Sequence, residues 1–157
     1  MPRHINPLLP TTFPAMAEMI REDHLIQQLL CADLEALADK LPELPPLLEI
    51  RRLCDRMERI TSSHFMRAEH ALRSLPPPHQ PSADALETLR NMHLLDEVHA
   101  HDLIGALWQQ TRQRDQSHLH VGQLAYMLRC FFDGCRRAIA LKESWVATAL
   151  ARTPRSD

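Results

Sequence analysis

An all-α, antiparallel up-down four-helix bundle is the fold class this sequence predicts, and three observations predict it. The 157 residues contain only three glycines, whereas Leu and Ala abound, which favours helix by intrinsic propensity. Apolar residues recur at three- and four-residue spacing along four long stretches, the pattern of an amphipathic helix. Short proline-rich or polar breaks separate those stretches, and short connections make sequential helices run in opposite directions.

Residues 1–13 form an irregular lead-in with Pro2, Pro7 and Pro10. Thr11 or Thr12 can cap a first helix that starts near Pro14, since proline suits a first turn. That helix runs to about Lys40 on a stripe of Met19, Ile26, Leu30, Leu34 and Leu37, and Pro42, Pro45 and Pro46 end it. A second helix is expected from about Leu47 to Leu75, with Leu53, Met57, Ile60, His64, Ala68, Leu72 and Leu75 on one side. The string Pro76-Pro77-Pro78-His79-Gln80-Pro81 is a loop. Ser82, with Asp84 and Glu87 in the first turn, opens a third helix that lasts to about Arg114. Asp115-Gln116-Ser117 connects it to a fourth, from about Leu119 to Leu150, carrying Leu128, Phe131, Phe132, Cys135, Ile139 and Val146. The bundle thus spans residues 14–151 as one domain, and residues 152–157 are a tail.

A net charge of −2 gives no electrostatic footprint for nucleic acid, and Lys40 and Lys142 are the only lysines beside 16 arginines. Cys31, Cys54, Cys130 and Cys135 lie in helical patterns without C-x-x-C spacing, so reduced and mostly buried thiols are expected. No run of about 18 apolar residues predicts a membrane span. The first residues lack the basic start and apolar run of a secretory signal, so a cytoplasmic protein is expected. Neither a Ser/His/Asp or Cys/His constellation nor a glycine-rich phosphate loop is evident, so an enzyme is not the expectation.

Histidine carries the chemistry. Of ten, His24, His64, His93 and His101 fall with Glu97 inside helical patterns. A buried histidine or carboxylate must be hydrogen-bonded or bound to something. At about 1.5 Å of rise per residue, His24, His64 and the third-helix histidines come to one height in an antiparallel bundle. His93, Glu97 and His101 stand at i, i+4, i+8 and project from one face. Imidazole and carboxylate together suit iron, zinc or manganese. A polar seam in which Glu97 bonds its histidine neighbours explains the same spacing. His4, His70, His79, His99, His118 and His120 sit in loops, at helix ends or on flanks.

Four segments resemble the hemerythrin-like, or HHE cation-binding, family over roughly residues 14–151. They are Arg21-Glu-Asp-His24-Leu-Ile-Gln-Gln-Leu-Leu, His64-Phe-Met-Arg-Ala-Glu69-His-Ala-Leu-Arg-Ser-Leu-Pro, His93-Leu-Leu-Asp-Glu97-Val-His-Ala-His101, and Ala138-Ile-Ala-Leu-Lys142-Glu143-Ser-Trp. The resemblance implies a hemerythrin-like bundle in which histidines and two carboxylates hold non-haem iron. It implies a role in handling or sensing oxygen, nitric oxide or redox state. Dioxygen or nitric oxide would be the small ligand, and a protein partner or a second copy the larger one. Carried over residue by residue, the ligands are His24, His64 and His93 or His101, with Glu69 and Glu143 as carboxylate candidates beside the family's positions; Glu97 is a candidate from its own place between His93 and His101. The chain departs from the family's pattern at three places. The first carboxylate position falls on Ala68, next to Glu69; the fourth-helix histidine falls on Ala138; and the second carboxylate falls on Lys142, next to Glu143. A mononuclear or asymmetric site is therefore expected rather than a symmetric di-iron one. Lys142 is expected to reach the bundle interior, standing where a metal's charge would stand and lowering metal affinity; an outward Lys142 would instead snorkel to the bundle edge. The alternative is a metal-free interaction or sensor bundle that kept the fold and lost the site.

Overall fold

The computed structural model describes residues 12–112 and 121–152. The lead-in prolines, His4, the Asp115–Ser117 connection, His118, His120 and the tail beyond Arg152 lie outside the described residues. Thr12 caps α1 (Phe13–Lys40), accepting a hydrogen bond from the Ala15 amide at 3.4 Å, with Pro14 in the first turn. A second rod comprises α2 (Leu47–Arg59), a π-helical turn (Ile60–His64) and α3 (Phe65–Arg73), and the backbone stays helical throughout. Ser82 accepts a hydrogen bond from the Ala85 amide at 3.1 Å and opens α4 (Ala83–Arg112). The last helix is α5 (Val121–Arg152). The result is a bundle of four long helical rods, with no strand among the described residues. None of its helices is long and apolar enough to cross a membrane.

The rods close a ring. α5 packs along both α1 and α4, α4 also touches both halves of the second rod, and α1 touches α2. Two apolar clusters fill the interior. One joins Leu30 and Leu34 of α1 to Ile50 and Met57 of α2, Leu103 and Leu107 of α4, and Leu128 and Phe132 of α5. The other joins Met16 and Ile20 of α1 to Leu72 of α3, Leu89 of α4 and Val146 of α5. Each fully buried Leu or Ile contributes about 1.5–3 kcal/mol of transfer free energy. In three of the rods buried polar residues lie in sequence between those clusters: Asp23, His24 and Gln27 of α1, Glu69 of the second rod, and His93 and Asp96 of α4; His64 lies just before Phe65, at the end of the first cluster.

The π turn was not expected, and it decides where the second rod points. A π turn holds one more residue than an α turn, so the helix beyond it presents a shifted face. Upstream, Leu53, Met57 and Ile60 are buried; beyond His64, Phe65 and Glu69 are buried along with Ala68 and Leu72. The Thr61 hydroxyl donates to the carbonyls of Met57 and Glu58 at 3.1 and 3.2 Å, satisfying backbone oxygens at the switch. In α1 the buried row runs through Asp23, Gln27 and Leu30, so Ile26, expected inside, is 47% exposed.

Candidate functional site

The centre of the site is Lys142. Its side chain has no exposed surface, and its Nζ lies 3.2 Å from Nε2 of His93, which is equally buried. On the other side of the ring, His93 Nδ1 is 2.7 Å from Glu69 Oε1. A neutral imidazole has one donor and one acceptor nitrogen. The ammonium can only donate, so Nε2 accepts from it and Nδ1–H donates to the Glu69 carboxylate. The chain Lys142–His93–Glu69 therefore carries a positive end, a neutral ring and a negative end. Glu69 extends the chain to Arg90 (3.4 Å) and Arg73 (3.8 Å), both partly in solvent. Phe65, delivered by the π turn, stacks on the His93 ring with centroids 4.2 Å apart and planes 2° from parallel. The Phe65 ring centroid is also 5.6 Å from Nζ, near enough to stabilise the ammonium through its π face.

Burial dominates the electrostatics. It pushes the Lys142 amine down to about 8, against the pull of Asp96, Asp23 and Glu69. His93 is pushed down to about 2, first by burial and then by the Lys142 and Arg90 charges, so its ring stays neutral. Asp96 is pushed up to about 7 by burial, opposed by Arg137 and Lys142. His24 and His64 are both held below the ordinary histidine range, chiefly by burial.

Two further pairs brace this layer. His24 Nδ1 lies 2.5 Å from Glu143 Oε1, joining α1 to α5. Asp23 takes a two-pronged ion pair from Arg67, with Nε–Oδ2 at 2.8 Å and a second contact from the guanidinium to Oδ1, joining α1 to α3. His64 Nε2 stands 3.9 Å from Asp23 Oδ1, beyond hydrogen-bond reach. His24 Nε2, His64 Nδ1, Asp96 Oδ2 and both side-chain polar atoms of Gln27 are buried without a hydrogen-bond partner in the structure.

The structure thus gathers His24, His64, Glu69, His93 and Glu143 around one buried layer. Glu97 and His101 do not join them. They line a surface groove of about 510 Å³ with Glu58, Ser62, Met66 and Arg90. The face shared by His93, Glu97 and His101 drifts out of the core because the buried row of α4 alternates threes and fours: Leu89, His93, Asp96, Ala100, Leu103, Leu107. Asp96, not Glu97, is the carboxylate that row turns inward. Asp96, Asp23 and Gln27 are the members that sequence reasoning missed. Drawing each row through its apolar residues, rather than through its histidines, would have found Asp96.

The donor chemistry does not fit a transition metal as these side chains are placed. Both ring nitrogens of His93 are engaged, the Glu69 oxygens serve His93 and two arginines, and His24 spends Nδ1 on Glu143. A divalent ion beside the Lys142 ammonium meets like charge at reduced dielectric, costing roughly 4 kcal/mol per unit charge at about 4 Å. Among the described residues no group of three or more His, Cys, Asp or Glu is arranged to hold a metal ion. Comparison with protein-family models, with curated proteins and with solved structures finds no match to this chain.

Proposed function

We propose that this chain is a hemerythrin-type antiparallel bundle whose centre is held by an ammonium in place of a metal, and that it works as a metal-free interaction or sensor module. The observation that carries this reading is the fully buried Lys142, with Nζ 3.2 Å from His93 Nε2. Metal-site histidines usually donate their second ring nitrogen to a carboxylate, which fixes the tautomer and aims the free nitrogen inward. His93 has that arrangement with Glu69, and the atom it aims at is a lysine nitrogen. The layer's proton inventory changes near neutrality, because Asp96 at about 7 and Lys142 at about 8 bracket it. That supports sensing through protonation of the core, read out at the bundle surface through Glu69, Arg73 and Arg90.

A second reading keeps the expected non-haem iron and its oxygen, nitric oxide or redox role. It is favoured by the unpartnered buried nitrogens of His24 and His64, which face no donor in the structure. Metal analysis of purified, untagged protein after anaerobic addition of iron separates the two. Under the ammonium reading, metal stays at background in the wild type and in His64→Ala alike. Under the iron reading the wild type carries metal and His64→Ala loses it. Lys142→Glu changes the local charge by two units and is expected to raise iron content, with Ala138→His adding to it only in that background.

A further inference from the structure

Cys31 and Cys135 face each other across the seam between α1 and α5, and no part of the ammonium layer uses them. Both belong to the same apolar cluster and both are 1% exposed. Cys31 Sγ sits 3.7 Å from the backbone carbonyl oxygen of Phe132. In an α-helix that carbonyl points along the axis toward the residues three and four positions on. The Cys31 thiol therefore lies against the turn that carries Cys135. Cys135 follows Gly134, the residue that packs directly on Asp96. Cys54 is on α2, and Cys130 is half-buried on α5.

We propose that Cys31 and Cys135 are a redox-active dithiol that closes into a disulfide between α1 and α5 when a small two-electron oxidant of the hydroperoxide class reaches the seam. This does not rest on the ammonium reading of the core. The pair is asymmetric in the way such chemistry needs. The neighbouring Cys135 thiol, helped by the Arg136 charge, holds the Cys31 thiol below the usual cysteine range. Its pairing with Cys31 and its burial hold Cys135 well above it. Cys31 is thus the thiolate nucleophile and Cys135 the resolving thiol. The Cys31 sulfur attacks one peroxide oxygen, the O–O bond breaks, and the departing hydroxide takes up the proton Cys31 gave up, leaving as water. Cys31 is then a sulfenic acid. The Cys135 sulfur attacks the Cys31 sulfur, the S–O bond breaks, and the hydroxide leaves with the Cys135 proton as a second water. Two thiols have lost two electrons, and one hydrogen peroxide has become two waters.

Burial makes the step depend on opening of the seam, so it runs more slowly than alkylation of Cys130. The test uses the full chain, freed of reductant, exposed to hydrogen peroxide while folded, then alkylated in denaturant and mapped without reduction. The expected result is a Cys31–Cys135 linked peptide and loss of two of the four thiols, both reversed by dithiothreitol. Oxidation of the unfolded chain should instead scramble the pairing. Cys130→Ser should keep the link, and Cys135→Ala should abolish it. Recovery of Cys31 and Cys135 as free thiols overturns the proposal. So does their separate oxidation to sulfinic acids, or a link that runs through Cys54 or Cys130. Mapping of the unsubstituted chain decides the matter even if the Cys135 variant does not fold.

Discussion

A lysine without exposed surface costs free energy at neutral pH, and the sign of that cost is testable. The Lys142 amine sits at about 8 when folded, against an ordinary value of 10.5. Between those values the unfolded chain binds the proton that the folded chain has released, so stability rises with pH across that window. Below about 8 the penalty is present in full. The wild type should therefore gain stability relative to Lys142→Met between pH 8 and 10.5, by at most about 3 kcal/mol. Urea titrations of both proteins at matched pH measure this, and parallel pH profiles would remove the buried ammonium from the account. Lys142 was recognisable in sequence as a departure from the ligand pattern and was expected to reach the bundle interior, as its burial bears out; its partner was not recognisable. Whether a lysine stem turns inward depends on what awaits it, and that is His93 on a different helix. A contrasting expectation holds for His101 and Glu97, which line the groove outside the core. Alanine at either should change stability by no more than about 0.5 kcal/mol.

At the scale of helices, α4 and α5 meet where Gly134 faces Asp96. A Cβ built on Gly134 would lie 2.1 Å from Asp96 Oδ1. In an open helix, Gly→Ala gains about 1 kcal/mol. Here the overlap is with a short, buried carboxylate that has little room to swing, and overpacking costs about 1–3 kcal/mol. Gly134→Ala should thus destabilise or at best break even, whereas the same change in an Asp96→Ala background should stabilise. Thermal or urea unfolding of the four proteins of that cycle checks the coupling, and equal effects in both backgrounds would deny the contact. The four rods were legible in the sequence, because apolar spacing and prolines mark them directly. The break near Pro42 and the cap at Ser82 were legible for the same reason. The π turn was not: residues 60–64, Ile-Thr-Ser-Ser-His, carry no local signal that separates a wide turn from an ordinary one. Glu69 therefore read as one residue off its stripe, although the turn brings it to His93.

Over the whole molecule, the buried histidines make the fold acid-labile. His24, His64 and His93 all lie below the ordinary histidine value of 6.5 when folded. The unfolded chain then binds protons that the folded chain refuses as pH falls below 6.5, so stability is fully present above that value and declines below it. Asp96 acts in the opposite sense. It keeps its proton up to about 7 when folded and releases it near 3.8 when unfolded, so its contribution fades as pH rises through that range. Three groups against one leave a net loss of stability on acidification below 6.5 toward pH 4. Urea midpoints across that range measure it, and a stability that holds flat or rises toward pH 4 would mean the imidazoles are not buried neutral. The position of the site was largely legible, since His24, His64 and His93 reach one layer. Its chemistry was less so, because Asp23, Gln27 and Asp96 look like ordinary surface residues until the packing rows are known.

The central claim, that an ammonium holds the place a metal would take, is tested most directly by metal stoichiometry. Purified, untagged wild-type protein is incubated anaerobically with ferrous iron, desalted and analysed for bound metal. The ammonium reading predicts less than about a tenth of an equivalent per chain, since metal affinity needs deprotonated, unpaired ligands. Close to one equivalent or more, lost in His64→Ala while that variant remains folded, would contradict it.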